Sequence, residues 1–309
     1  MINSGWRLRA AVARRAAVAL LLVAGAARAQ GVAPTRSVVR ADDGHSLTVW
    51  SKRPAGAPRG ALLLLHGRTW SSLPNFDLRV PGQRVSLMDA LVRRGYAVFA
   101  LDQRGYGATP RDSSGWITPS RAVEDASSVL KWIAARPASR VGKPVLFGYS
   151  QGSRTALLAA QRHPDAMSAV VLYGFPQDVT QPPRAGDAPR MLRKPTTLDG
   201  ARQDFITPES TPAGVQEAYA AAAVAADPVR TDWRDEGDWG QLDPATVTLP
   251  VLLINGERDP YANAANLPAF FSRLATVDRW WVVIGRADHA AHLERQGEFV
   301  QAVVSFMER

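Results

Sequence analysis

The residues best suited to do chemistry lie at Gly148-Tyr149-Ser150-Gln151-Gly152, a serine one residue from a glycine on each side. An apolar run, 144–148, leads into it, and an alanine- and leucine-rich stretch of helical pattern, 152–162, follows. A strand that turns sharply into a helix can hold a serine in a strained conformation with its hydroxyl exposed. The flanking glycines leave room where neighbouring backbone passes closely. The N-terminus of the following helix adds partial positive charge where an oxyanion would develop. The competing reading, a serine in an ordinary glycine turn, does not account for the strand and helix on either side. The chemistry is acyl transfer with Ser150 as nucleophile.

A serine hydroxyl needs a base, and the base needs an orienting acid. On a strand–turn–helix nucleophile the partners follow in the order acid, then histidine. Strand-like residues 251–254 run into Asn255-Gly256-Glu257-Arg258-Asp259-Pro260, which puts Asp259 at a strand's carboxyl end. Capping the helix expected at 262–274 would be its alternative role. Glu257 is the second choice of acid, and Asp178 the third. Residues 279–284 form the next strand and lead into Gly285-Arg286-Ala287-Asp288-His289, so His289 is the expected base. Of the other histidines, His45 lies beside a turn and His163 at a helix end. His66 shapes the loop after its strand. His292, at the start of the last helix, is the rival, with packing or capping as its simpler role.

Two backbone N–H groups should hold the oxyanion. One belongs to Gln151, and the other to Arg68, in the loop after strand 61–65. Trp70, Phe76 and Tyr149 are the expected pocket walls, with Thr69 beside them and the tryptophans of the inserted segment, Trp233 and Trp239, as further candidates.

The elements that position these residues alternate. Strand-like segments at 37–41, 46–52, 61–65, 96–101, 144–148, 169–173, 251–254 and 279–284 interleave with helical patterns at 83–93, 120–135, 152–162, 262–274 and 293–307. That pattern predicts an α/β fold with a mostly parallel sheet covered on both faces. Between 176 and 249 regular alternation stops, apart from a helix near 214–226. Phe205, Ile206, Tyr219, Trp233 and Trp239 are poor residues for a disordered linker, so the segment is expected to fold as an inserted lid. The expected organisation is a leader at 1–29, a core at 30–175 and 250–309, and the lid at 176–249.

With these residues in view, the chain resembles the α/β-hydrolase superfamily. The resemblance rests on His66-Gly67, Asp102-Gln103-Arg104-Gly105-Tyr106-Gly107, the 148–152 motif, Asn255–Asp259, and Asp288-His289 with His292-Leu293-Glu294, all in the family's order. It implies that Asp102 and Arg104 belong to a structural loop. The histidine loop departs from the family's GxGH-like form. An aspartate at the nucleophile position would imply dehalogenase or epoxide hydrolase chemistry. Ser150 implies instead a serine hydrolase of a small or medium carboxylic ester, working through an acyl-enzyme. Carbon–carbon bond hydrolysis and peptidase action are the alternatives on the same triad. A peptidase would use acids such as Glu217, Asp235 or Glu236 for a free amino terminus. A non-catalytic binding protein of the same fold is the alternative from another class.

No cofactor is expected: there is no H-E-x-x-H, Walker-type loop or dinucleotide fingerprint. With no cysteine, disulfides and thiolate chemistry are excluded. Residues 1–29 carry Arg7, Arg9, Arg14, Arg15 and Arg28, no acid, an apolar run at 16–27 and a small-x-small end, the pattern of a cleaved secretory leader. Cleavage between Ala29 and Gln30 would lower the net charge from +9 to +4, leaving 32 basic against 28 acidic residues. Those residues are scattered, which argues against nucleic acid as a partner. The expectation is an exported protein, periplasmic or secreted, without a stable membrane anchor after cleavage.

Overall fold

The computed structural model describes residues 31–136, 142–176, 192–262 and 265–309. The expected leader and Asp178 lie outside them. Ten strands are present among the described residues: β1 Thr35–Arg40, β2 Ser46–Lys52, β3 Gly60–Leu65, β4 Tyr96–Asp102, β5 Trp116–Ile117, β6 Val145–Tyr149, β7 Ala169–Tyr173, β8 Asp232–Trp233, β9 Val251–Gly256 and β10 Arg279–Ile284. Eight form one sheet in the order β1-β2-β4-β3-β6-β7-β9-β10. β2 runs antiparallel to both its neighbours, and every other pair is parallel. The mostly parallel α/β sheet is therefore as expected.

The central strands β4, β6, β7 and β9 are buried at every residue, as continuous apolar runs must be when both sheet faces are covered. Alternate side chains serve opposite faces. Leu63 and Leu65 join a core with helices α3 (Pro119–Ala134), α4 (Gln151–Arg162) and α7 (Leu267–Arg273). Leu62 and Leu64 join a second core with α1 (Ser72–Phe76), α2 (Leu87–Arg93), α8 (Ala291–Glu294) and α9 (Gln296–Met307).

The segment between β7 and β9 divides in two. Its helices α5 (Leu198–Arg202) and α6 (Val215–Ala226) contribute Ala201, Phe205, Val215, Tyr219, Ala220 and Ala223 to a third, separate cluster with Trp70, Leu78, Val80 and Leu293. Further on, β8 pairs with β5, and Trp233, Trp239, Leu242 and Val247 enter the main core. Trp233 also donates to the Tyr106 hydroxyl at 2.8 Å. The expectation that Trp233 and Trp239 line the pocket is therefore corrected: the β5–β8 pairing draws them into the core.

Three helices are shorter than expected, the one expected at 83–93 beginning only at Leu87. The one expected at 262–274 begins only at Leu267, because Asp259 ties the preceding residues into a turn by accepting from the N–H groups of Tyr261 and Ala262. The last helix is interrupted at Arg295, whose φ and ψ are −130° and 46°.

Candidate active site

Ser150 ends β6 and caps α4 with φ 53° and ψ −122°, one of four non-glycine residues at positive φ among those described. A β-carbon at that φ is strained, and the position is held by its surroundings. The Ser150 N–H donates to the Tyr173 carbonyl at 2.8 Å, pinning the turn to β7. A β-carbon on Gly152 would come within 2.5 Å of the Leu65 carbonyl oxygen, and one on Gly67 within 3.2 Å of the Ser150 β-carbon. The glycines of the motif and of the loop after β3 are thus required by packing.

Asp259 and His289 leave the carboxyl ends of β9 and β10, where open α/β sheets gather their ligands. His289 Nδ1 lies 2.8 Å from Asp259 Oδ2, and the carboxylate is fully enclosed. Asp259 thus places one oxygen on the histidine and the other on the N–H groups of the turn at Tyr261 and Ala262. The His289 ring sits between Tyr149, at 4.9 Å, and Tyr261, at 4.8 Å. Gly174, at φ 56°, leaves the space the pair needs: a β-carbon there would lie 2.9 Å from His289 Cε1 and 3.2 Å from Asp259 Oδ2. Glu257 is exposed and accepts from the Arg286 N–H instead.

His292 is held through Nε2. Its Nε2 donates to the Asn75 carbonyl at 2.8 Å, and its Nδ1 lies 3.0 Å from the Tyr173 hydroxyl, which donates to the His289 carbonyl at 2.6 Å. Burial pushes His292 down to about 4, so it stays neutral and positions the His289 loop. His66 is equally enclosed. It accepts from the Gln103 N–H through Nε2 and donates from Nδ1 to Gly67, and burial lowers it to about 4. Asp102 accepts from Trp50, Ser72 and Ala108, and Arg104 meets Asp43, Asp112 and Asp125, so both hold loops.

Behind His289, Asp288 accepts from the Thr207 N–H at 2.7 Å, joining the histidine loop to the inserted segment. The Asp288 N–H in turn donates to Glu294 at 2.7 Å. Burial, reinforced by the neighbouring Asp288 carboxylate, raises Glu294 to about 8.

Ser150, Gln151 and His289 line one cavity of about 380 Å³ with Gly67, Arg68, Thr69, Trp70 and Tyr149. The Ser150 hydroxyl is not hydrogen-bonded to His289; such contacts are often loose before substrate binds. The N–H groups of Gln151 and Arg68 have no acceptor among the described residues, as free oxyanion donors would not. Trp70 and Tyr149 line the cavity as expected, and Phe76 does not. Its ring is fully buried against Phe147 and His292, because α1 turns it into the core.

The cavity also contains residues that the sequence did not single out: Asn75, Arg154, Asp204, Tyr219, Arg230 and Tyr261. Arg154 alone had a legible signal, standing one helical turn after Ser150. The acids Glu217, Asp235 and Glu236 are paired with Arg202, Arg234 and Arg68 respectively. The acid in the cavity is Asp204, whose carboxyl is raised by burial and which accepts from Tyr219. Among the described residues one carboxylate group of metal-site proportions occurs, Asp42, Asp43 and Asp125. Arg104 and Arg121 already pair with it, making it an ion-pair network.

Residues 56–296 match the family model described as serine aminopeptidase, S33 (Hydrolase_4), and the chain belongs to this α/β-hydrolase family. It is 26% identical, over 71% of its length and 76% of the relative's, to a 2-hydroxy-6-oxo-6-(2'-aminophenyl)hexa-2,4-dienoic acid hydrolase of Metapseudomonas resinovorans. It is 24% identical to the sn-1-specific diacylglycerol lipase ABHD11 of Xenopus tropicalis, covering 82% of this chain and 79% of the relative. Among solved structures, a serine hydrolase involved in carbazole degradation (the CarC enzyme) superposes with a TM-score of 0.63 at 20% identity, over 89% of this chain and 99% of that one. The fold is that of the α/β-hydrolases, and the family is one of hydrolases.

Proposed function

We propose that this chain is a serine hydrolase that cleaves a small or medium carboxylic ester through an acyl-enzyme on Ser150. The observation that carries the reading is the enclosed Asp259, 2.8 Å from His289, with His289 on the wall of the cavity that also contains the strained Ser150.

In this reading His289 takes the Ser150 proton through Nε2 as the hydroxyl oxygen attacks the ester carbonyl. Asp259 holds the ring's tautomer and the positive charge that forms. The N–H groups of Gln151 and Arg68 receive the oxyanion. Collapse expels the alcohol, which takes its proton from His289. Water, activated by the same histidine, then attacks the acyl-enzyme and releases the acid. The cavity volume suits a ligand of modest size. The helices α5 and α6, with their own apolar cluster, act in this reading as a lid over the site.

The proposal extends to export, on the strength of the leader pattern in residues 1–29. A mature protein beginning at Gln30 in the periplasm or medium is the expected finding, and an intact N-terminus in the cytoplasm would contradict it.

Hydrolysis of p-nitrophenyl acetate, butyrate and octanoate, with Ser150→Ala beside the wild type, tests the enzymatic reading. Cleavage of the shorter esters by the wild type alone is expected. Turnover by the variant would overturn Ser150 as nucleophile, and no turnover of any ester by the wild type would overturn the esterase reading.

A further inference from the structure

Arg154 is a partly buried cation in the cavity with few partners. It stands four residues after Ser150, one turn along the helix that Ser150 caps. Its guanidinium has five N–H donors but makes one hydrogen bond among the described residues, from Nη2 to the Pro176 carbonyl at 3.1 Å. Its Nε is buried without a partner. No carboxylate among the described residues pairs with it: Glu236, an acid near enough to act on it, is held by Arg68. Arg104, for comparison, meets three carboxylates.

A second unanswered donor stands beside it. Gln151 accepts from Arg68 through Oε1 at 3.0 Å, while its Nε2 is buried without a partner. The orientation of that amide is thereby fixed, with its N–H groups left over. A buried donor without an acceptor costs free energy, and natural sites that keep several are sites that a ligand completes.

The remaining charges around the cavity do not cancel Arg154. Arg230 lines it and is exposed. Asp204 accepts from the Tyr219 hydroxyl and makes no ion pair with Arg154, and Arg68 is matched by Glu236. Desolvation lowers Arg154 itself to about 10, still charged at neutral pH.

We infer that Arg154 and the Gln151 amide form an anion subsite beside the oxyanion donors, and that the substrate carries a carboxylate a few bonds from its scissile carbonyl. The substrate class is thus the half-ester of a short dicarboxylic acid. The spacer is expected to be short because Ser150 and Arg154 line the same cavity of about 380 Å³. The guanidinium would take the carboxylate through its free N–H groups, and the Gln151 Nε2 would complete the contact. This inference rests on the reading of the cavity as the site of ester cleavage, but the subsite can be measured without turnover.

The first measurement is binding, by calorimetric titration of the wild type, Arg154→Met and Arg154→Lys with glutarate and with its neutral diamide. Glutarate is expected to bind the wild type at least tenfold more tightly than the diamide does. That preference should vanish in Arg154→Met and partly return in Arg154→Lys. Equal affinity for the two ligands, or a preference that survives in Arg154→Met, would overturn the subsite. The thermal midpoint of each variant shows that it is folded, and Arg154→Lys keeps the test informative if Arg154→Met is not.

The second measurement is the ratio of kcat/KM for p-nitrophenyl hemiglutarate to that for p-nitrophenyl pentanoate. The ratio should exceed one in the wild type and fall at least tenfold in Arg154→Met. An unchanged ratio would overturn the inference. If glutarate binds selectively but neither ester is cleaved, the esterase reading fails while the anion subsite stands.

Discussion

The cavity draws on two regions of unlike construction. Ser150, Asp259 and His289 stand at the carboxyl ends of β6, β9 and β10, and Gly148, Gly152, Gly174 and Gly256 beside them leave no room for a β-carbon. Asp204, Tyr219 and Arg230 come from the segment between β7 and β9, whose helices have a small apolar cluster of their own. On the strand side, most polar groups are answered: His292 Nε2 by Asn75, Asp259 on both oxygens, Ser150 N–H by Tyr173. On the helix and insertion side, Arg154 and Gln151 keep donors unpaired, and Asp204 is buried with no cation paired to it among the described residues. Reaction geometry is rigid where the sheet supplies it. Selectivity falls to the side where a ligand has something left to satisfy.

The sharpest way to break this contrast is to remove one group from each region. His289→Ala should lower kcat by about 10⁴-fold or more, as loss of a base does in serine enzymes. Asp204→Asn should cost about tenfold or less, and mainly in KM. Comparable losses in kcat would put Asp204 in the chemistry and dissolve the distinction.

A glycine pair sharpens it further. Gly174→Ala would place a methyl group against His289 and Asp259 at φ 56°, and is expected to lower kcat about 100-fold by displacing the pair. Gly214→Ala, at φ 77° ahead of α6, meets nothing within 4 Å. It should cost only the left-handed strain, about 1–2 kcal/mol of stability, and leave kcat alone. Steady-state kinetics and thermal midpoints on both variants check this.

Titration is expected to act on the strand side. Glu294 is raised from 4.5 to about 8, so the folded state holds a proton that the unfolded chain releases, and stability should fall as pH rises from 4.5 to 8. Glu294→Gln should remove that slope, with a shift of a few °C at pH 8. His66 and His292 are lowered from 6.5 to about 4, so their contribution is complete above pH 6.5 and lost as pH falls towards 4. Thermal melts of wild type and variant from pH 4 to 9 would show both limbs; a flat profile would contradict the burial argument. The smallest effect belongs to Glu217→Gln. It breaks an exposed pair with Arg202 and should leave stability and ester turnover unchanged within error.

How much of this was legible in the sequence follows the same division. Strands 46–52, 169–173 and 279–284 agree with the structure residue for residue, because apolar runs bounded by turn residues carry their own limits. The spacing of Ser150, Asp259 and His289 after strand ends placed them near one another, since parallel strands present their carboxyl ends on one edge. Phe76 was misread because α1, five residues long, has no periodicity to show which way its side chains turn. Trp233 and Trp239 were misread because a two-residue pairing between β5 and β8, distant in sequence, decides their burial. Asp204 was missed because only the packing of α5 against α6 brings it to the cavity.

The most direct test is the mass of the intact protein after rapid acid quench during turnover of p-nitrophenyl butyrate. The account predicts a fraction of the wild-type chain heavier by one butyryl group, with the added mass on the peptide containing Ser150 and absent in Ser150→Ala. Ester turnover with no acyl adduct in any quench interval, or with the adduct on another residue, would contradict it.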